Sequence, residues 1–227
     1  MPLELKTLYQ HFASHLEAQW IMRPENAGLL FDFVKKHPVK KILDLGTGIG
    51  CSVAIIALAL KTKGEEDFKM DSVEQYDKCI KLANELIPEE LKKNVTIHKS
   101  NAVLWQTDKI PYQHFSIYDS LPDGDYDLIL NDGPGPWAEN GNYIDLSNGT
   151  IIKLLLENRL KPNTLIAFDG RFVALKTIER YFSENFYLFQ PAPNGTSLNI
   201  IQRKDNLVKF EDEEMKYMTE FGYFKGM

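Results

Sequence analysis

The chain has 227 residues, a formal net charge of -6 and a pI of about 5.4. Its 44% hydrophobic and 26% charged residues suit one soluble globular domain with short additions, which excludes extensive disorder. A surface of this sign repels phosphate backbones, so nucleic acid is an unfavoured partner; the two cysteines, Cys51 and Cys79, fit a reducing compartment and exclude a disulfide framework.

In chain order, Leu5, Leu8, Phe12 and Leu16 place a helix over residues 3–19 with one apolar stripe. Pro24, suited to a first helical turn, opens a second helix running to Lys36, with Leu29, Leu30, Phe33 and Val34 on its apolar face. Val39 to Leu45 is a buried strand, followed by a helix from Cys51 to Lys61. Lys69 to Glu74 is the second strand, and Asp77 to Ile87 its crossover helix, stopped by Pro88. Asn94 to Lys99 is the third strand. Residues 100–122 are less regular, with His114 to Tyr118 alternating like a short extra strand. Asp127 to Leu130 is a central strand, Asn148 to Leu160 a helix ended before Pro162, and Thr164 to Phe168 the next strand. Phe172, Leu175, Ile178 and Phe182 mark a helix face. Phe186 to Phe189 and Ser197 to Gln202 form a closing hairpin that turns at Asn194-Gly195. The tail is acidic in its middle (Glu211, Asp212, Glu213, Glu214) and reads either as a surface helix or as a frayed end. Strands alternating with helices predict an α/β fold. It is Rossmann-like and doubly wound, with a mostly parallel seven-stranded sheet, helices on both faces and a C-terminal antiparallel hairpin.

The strongest local signal is Lys41-Ile-Leu-Asp-Leu-Gly-Thr-Gly-Ile-Gly50, a buried strand running into a glycine turn and then a helix. Open parallel sheets bind ligands beyond the carboxyl ends of their strands, where glycines admit close approach and a helix N-terminus offers free N–H groups. Gly46, Gly48 and Gly50 make G-x-G-x-G, whereas the dinucleotide fingerprint is G-x-G-x-x-G. Asp44, just before the turn, would repel a pyrophosphate and welcome a cation. Glu74 ends the second strand, one crossover unit later, where a carboxylate can grip a ribose diol.

Residues 39–52 resemble motif I of the class I S-adenosylmethionine-dependent methyltransferases, in a branch that acts on small molecules and glycans. The resemblance implies a cofactor site built from Asp44, Gly46, Thr47, Gly48, Gly50, Ser52, Glu74, Gln75, Asn101 and Asp132. Within it, Ser52 contacts the methionine carboxylate and Glu74 the ribose. Asn101 either bonds the adenine amino group or holds a turn. The expected division is an N-terminal helical extension (1–21), a class I methyltransferase domain (22–203) and an acidic tail (204–227).

Tyr126-Asp-Leu-Ile-Leu-Asn-Asp-Gly-Pro-Gly-Pro136 places Asp132 at the end of a central strand, and it resembles the Asp-Gly-Pro stretch of that branch. The next strand ends Ala167-Phe-Asp-Gly-Arg171, which sets Asp169 across the mouth from Asp132. Asp132, Asp169 and Arg171 are the candidate catalytic residues. Arg171 would pair either with Asp169 or with an acidic substrate. Catechol-type relatives hold Mg²⁺ with comparable acids, so Asp132 and Asp169 form a two-carboxylate metal site or, alternatively, cap loops. The loop 133–147, carrying Trp137 and Tyr143, reads as a lid, with Trp20 and Met22 closing the other side, or each of these residues serves ordinary packing.

The function expected is an S-adenosylmethionine-dependent methyltransferase (EC 2.1.1.-) that methylates an oxygen of a small molecule or sugar by in-line transfer. Two other readings compete. An NAD-dependent oxidoreductase is disfavoured by the glycine spacing and Asp44; a non-catalytic nucleoside-cofactor-binding domain would share the fold. The first 20 residues lack a signal-peptide core, and the longest apolar run, Val53 to Leu60, is too short for a bilayer. The expected location is therefore cytoplasmic, with no membrane partner and with the terminal segments serving either homo-oligomer contacts or a cap over the substrate.

Overall fold

The computed structural model describes residues 1–111, 113–137, 141–143, 147–190, 192–193, 196–205 and 216–218. The main sheet contains β1 (Lys41–Leu45), β2 (Lys69–Glu74), β3 (Val95–Lys99), β6 (Leu128–Asn131), β7 (Leu165–Asp169), β8 (Phe186–Gln190) and β9 (Leu198–Arg203). Their order is β3-β2-β1-β6-β7-β9-β8. All neighbours pair in parallel except β7 with β9 and β8 with β9. The seven strands, the parallel majority and the antiparallel end agree with the expectation from sequence. The order reverses between β1 and β6, so the crevice beyond their carboxyl ends is the natural ligand site.

Helices α1 (Leu3–Ala13), α2 (Pro24–Lys36) and α3 (Cys51–Thr62) cover one face. Their core includes Leu5, Phe12, Leu30, Ile55 and Leu60. Helix α3 is apolar nearly all round because it packs against both α1 and α2 as well as the sheet. The opposite face is covered by α6 (Thr150–Leu156) and α7 (Phe172–Tyr181), with a core that includes Phe168, Trp105, Phe115 and Ile178. Helices α4 (Asp77–Leu86) and α5 (Glu89–Lys92) link β2 to β3.

Three elements differ from expectation. The first helix stops at Ala13, not at residue 19, and Leu16 is 97% exposed. There the Ser14 hydroxyl donates to the His11 carbonyl and the Glu17 N–H to His15 Nδ1; such local bonds compete with helix continuation. The irregular stretch 100–122 holds two strands, β4 (Ala102–Gln106) and β5 (Phe115–Tyr118), paired antiparallel in a second sheet with β10 (Lys216–Met218). The helix expected over 148–160 spans only Thr150–Leu156. The Asn148 side chain accepts the Thr150 N–H ahead of it, and Asn158 adopts a φ of +55° beyond it. The Asn194-Gly195 turn and the acids 211–214 lie outside the described residues. Among the described residues no helix is long and apolar enough to cross a membrane.

Candidate active site

The glycine turn is built for close packing. Gly46 has a φ of +112°, and a Cβ there would stand 2.9 Å from the backbone of Asp132 and Gly133. Gly50 has a φ of +95°, and its Cβ would meet the Ile87 side chain at 2.6 Å. These two positions let the turn close on the loop after β6 and on the end of α4. At Gly48 a Cβ would meet nothing within 4 Å, so this backbone faces open space.

Beneath the turn lies Asp44, which is fully buried. It accepts from Ser52 Oγ at 3.2 Å and Ser72 Oγ at 2.5 Å, while Thr47 Oγ1 and Ser72 Oγ share a bond of 2.5 Å. Burial pushes the Asp44 carboxyl up to about 6, against the pull of the two serine bonds. Asp44, Thr47 and Ser52 therefore sit under the turn as its polar support. They are not among the residues that line the cleft, because the strand end and the first turn of α3 enclose them.

Glu74 is buried at the end of β2. Its Oε2 accepts the Gly48 N–H at 2.8 Å, and its Oε1 accepts the N–H groups of Gln75 at 2.8 Å and Tyr76 at 2.9 Å. Burial raises its pKa, and the three backbone bonds oppose the rise. A carboxylate offers about four acceptor sites, so three bonds leave capacity for a ligand hydroxyl. Gln75 turns the other way: its Nε2 donates to the Trp137 carbonyl at 2.5 Å and its Oε1 accepts the Gly135 N–H at 2.7 Å. Tyr76 Oη also donates to the Trp137 carbonyl, at 3.3 Å. Gln75 thus fastens the loop after β6, a role that neither composition nor spacing announces.

Asp132 and Asp169 end adjacent strands, where Asn131 lies opposite Phe168. Arg171 pairs with Asp132, not with Asp169: its Nη2 stands 3.2 Å and its Nε 3.3 Å from Asp132 Oδ1, and Nη2 also donates to the Asp132 carbonyl. Burial pushes the Asp132 carboxyl up; the Arg171 cation opposes this, and the charges of Asp169 and Asp44 add to it. Asp169 is held from the other side. Asn26 Nδ2 donates to its Oδ1 at 2.5 Å and Ser197 Oγ at 3.2 Å.

These groups line one cleft of about 940 Å³. Of the residues expected at the site, Gly46, Gly48, Glu74, Gln75, Asp132, Asp169 and Arg171 face it, together with Met22 and Trp137. Gly50 is packed away against Ile87, and Asn101 is tied to Asp119 through its N–H at 3.1 Å and its Nδ2 at 3.2 Å. These bonds hold a turn and leave the Asn101 Oδ1 unused by them. The rings of Trp137 and Tyr143 meet edge to face at 5.2 Å. The Trp20 side chain, residues 138–140 and residues 144–146 lie outside the described residues. Sequence reasoning missed Tyr118, Ser197, Phe172 as a cleft residue, and Asn26. Phe172 fits the spacing of the buried face of α7 yet is 52% exposed, because it stands at the cleft rim. Asn26 carried a readable signal, a polar residue four positions before Leu30 on the apolar face of α2.

The donors do not fit a magnesium ion. Arg171 already supplies the cation at Asp132, and amide and hydroxyl donors engage Asp169. Among the described residues no group of three or more His, Cys, Asp or Glu could hold a metal. The expected two-carboxylate site is thus replaced by an arginine–aspartate pair beside a separately held aspartate. S-adenosylmethionine fits better. The turn leaves open space at Gly48, and the buried Glu74 carboxylate accepts the Gly48 N–H beside it.

Solved structures of similar fold include the SAH-bound methyltransferase PaMTH1 of Podospora anserina, with a TM-score of 0.60, 13% identity, and 91% of this chain and 89% of that one covered. An O-methyltransferase of Bacillus cereus in complex with SAH matches with a TM-score of 0.56 at 15% identity, over 90% and 92% of the two chains. The O-methyltransferase TomG of Streptomyces achromogenes, in complex with SAM, matches with a TM-score of 0.56 at 13% identity, over 90% and 91%. No curated protein sequence matches the chain. The sequence pattern of the protein-L-isoaspartate(D-aspartate) O-methyltransferases matches residues 4–123, from α1 through β5. With more than half of its length matched and a class I methyltransferase fold throughout, the chain belongs to the protein-L-isoaspartate(D-aspartate) O-methyltransferase family of S-adenosylmethionine-dependent methyltransferases.

Proposed function

We propose that the chain transfers the methyl group of S-adenosylmethionine to an oxygen of a small-molecule or sugar acceptor bound in the same cleft. The observation that carries this is a single cleft lined both by Glu74 with the Gly46–Gly48 turn and by Asp132, Asp169 and Arg171. When bound, the cofactor would supply an electrophilic methyl on a good leaving group. The chain's own work is then positioning, which can supply on the order of 7–11 kcal/mol. Gly48 and Glu74 hold the nucleoside end, and Gln75 keeps the 133–137 loop over the cleft. The Arg171–Asp132 pair fixes the floor by charge and hydrogen bonding, and Asp169 remains to receive a proton. The chain divides functionally into the helical extension 1–21, the methyltransferase domain 22–203 and the tail 204–227. Its two unpaired thiols suit a cytoplasmic setting.

The test is calorimetric and thermal-shift titration with S-adenosylmethionine and with NAD, followed by turnover on an acceptor panel that includes 3,4-dihydroxybenzoate, simple sugars and an isoaspartyl peptide. The expected result is binding of S-adenosylmethionine alone, weakened on the order of 10–100-fold in Glu74→Gln, since a charged hydrogen bond contributes about 1.5–3 kcal/mol. Binding of NAD in its place would falsify the cofactor assignment. Methylation of the peptide but of no phenol or sugar would move the acceptor to a protein carboxyl.

A further inference from the structure

Asp132 and Asp169 both line the cleft and both keep Oδ2 without a partner among the described residues; they differ in what engages Oδ1, a guanidinium cation at Asp132 and neutral amide and hydroxyl donors at Asp169. Both Asp132 Oδ1 and its carbonyl are engaged by the Arg171 guanidinium. Asp169 has both of its bonded donors on Oδ1. The donors form a closed set. Asn26, wholly buried in the first turn of α2, donates from Nδ2 to Asp169 Oδ1 at 2.5 Å and to Ser197 Oγ at 2.7 Å. The Ser197 hydroxyl donates to Asp169 at 3.2 Å, and the Ser197 N–H donates to Asn26 Oδ1 at 3.2 Å. One amide therefore ties together α2, the end of β7 and the start of β9, three segments far apart in sequence.

We infer that Asp169 is the proton acceptor for the methylated hydroxyl and that Asn26, with Ser197, is the positioning residue that aims its free Oδ2 into the cleft. This rests on the reading of the cleft as a methyl-transfer site. In the step, the acceptor O–H proton passes to Asp169 Oδ2 as the acceptor oxygen bonds the methyl carbon. The bond from that carbon to sulfur breaks, and its electron pair stays on sulfur, which becomes a neutral thioether. The proton leaves Asp169 to solvent after product departs. Burial raises the Asp169 pKa, which brings a carboxylate toward the range useful to a base near neutral pH, and the bonds from Asn26 and Ser197 hold it back. The charged and titratable groups facing it are Arg171 at the head of α7, Arg23 before α2, Asp132 at the end of β6 and Tyr9 from α1.

The experiment compares wild type, Asn26→Ala and Ser197→Ala, each checked by thermal melt and by calorimetry with S-adenosylmethionine. Carbon-13 NMR follows the Asp169 carboxyl through its titration, with Asp169→Asn assigning the signal. The expected result is an upward move of the Asp169 midpoint in both variants, with cofactor affinity unchanged within about twofold. On any panel acceptor turned over, kcat falls on the order of tenfold, KM changes little, and the acid limb of the rate profile moves to higher pH. Should Asn26→Ala fail to fold, Ser197→Ala carries the comparison alone. An unmoved midpoint overturns the positioning role. A moved midpoint with an unmoved acid limb overturns Asp169 as proton acceptor. Loss of S-adenosylmethionine binding by the wild-type protein is a different result, and it would remove the reading on which the inference rests.

Discussion

Asp44 illustrates how one buried charge links the site to stability. Its carboxyl titrates near 6 in the folded chain, against an ordinary value of 3.8, because burial disfavours the charged form more than two serine bonds favour it. An acid raised in this way stabilises the fold fully below the unfolded value and loses that contribution as pH rises through the folded one. Between about pH 4 and 7 the loss amounts to about 3 kcal/mol. Asn at this position can still accept from one serine and donate to the other. Asp44→Asn is therefore expected to gain on wild type as pH rises across that window, read as urea unfolding midpoints without cofactor at pH 4.5 and 7.5. Parallel midpoints at both pH values would remove Asp44 as a titrating burden. The nearby Glu74, Asp132 and Asp169 shift in the same direction but are common to both proteins.

Among the elements, the loop after β6 depends on the residue that follows β2. Both ends of the Gln75 amide bond backbone groups of that loop, at Gly135 and Trp137. Gln75→Ala should release the Gly135 amide, so its hydrogen exchange accelerates on the order of tenfold, the equivalent of about 1.4 kcal/mol for one lost bond. Exchange in β2 itself should stay slow. If Gly135 remains as protected as before, the loop is held by something other than this side chain. The resemblance suggested Gln75 as a cofactor contact; in the structure Gln75 lines the cleft and its amide also holds the loop after β6.

For the molecule as a whole, the two helical layers separate stability from binding. Leu60 lies fully buried in the last turn of α3, at the opposite end of that helix from the glycine turn. Leu60→Ala removes packed volume that its neighbours only partly refill, at a cost of about 2–5 kcal/mol. Chemical denaturation should register that loss while the calorimetric affinity for S-adenosylmethionine stays at the wild-type value. A large drop in affinity would mean that α3 transmits packing strain to its first turn.

Local chemistry was enough to place β1, the glycine turn, Glu74 and the alternation of strands with helices. Periodicity and turn glycines act over a few residues, and this chain follows them there. The same signals misjudged Leu16 and Phe172, whose spacing fits an apolar stripe but which meet no covering surface; they marked β5 but left β4 and its pairing with β5 unresolved, because antiparallel pairing is a contact between separate segments. The choice between Asp132 and Asp169 lay beyond sequence for the same reason. Which carboxylate Arg171 neutralises, and which one Asn26 reaches from α2, depends on distances that exist only after β6, β7 and β9 stand side by side. Long-range packing sets those distances, and neither the identity of a residue nor its neighbours in the chain contains them.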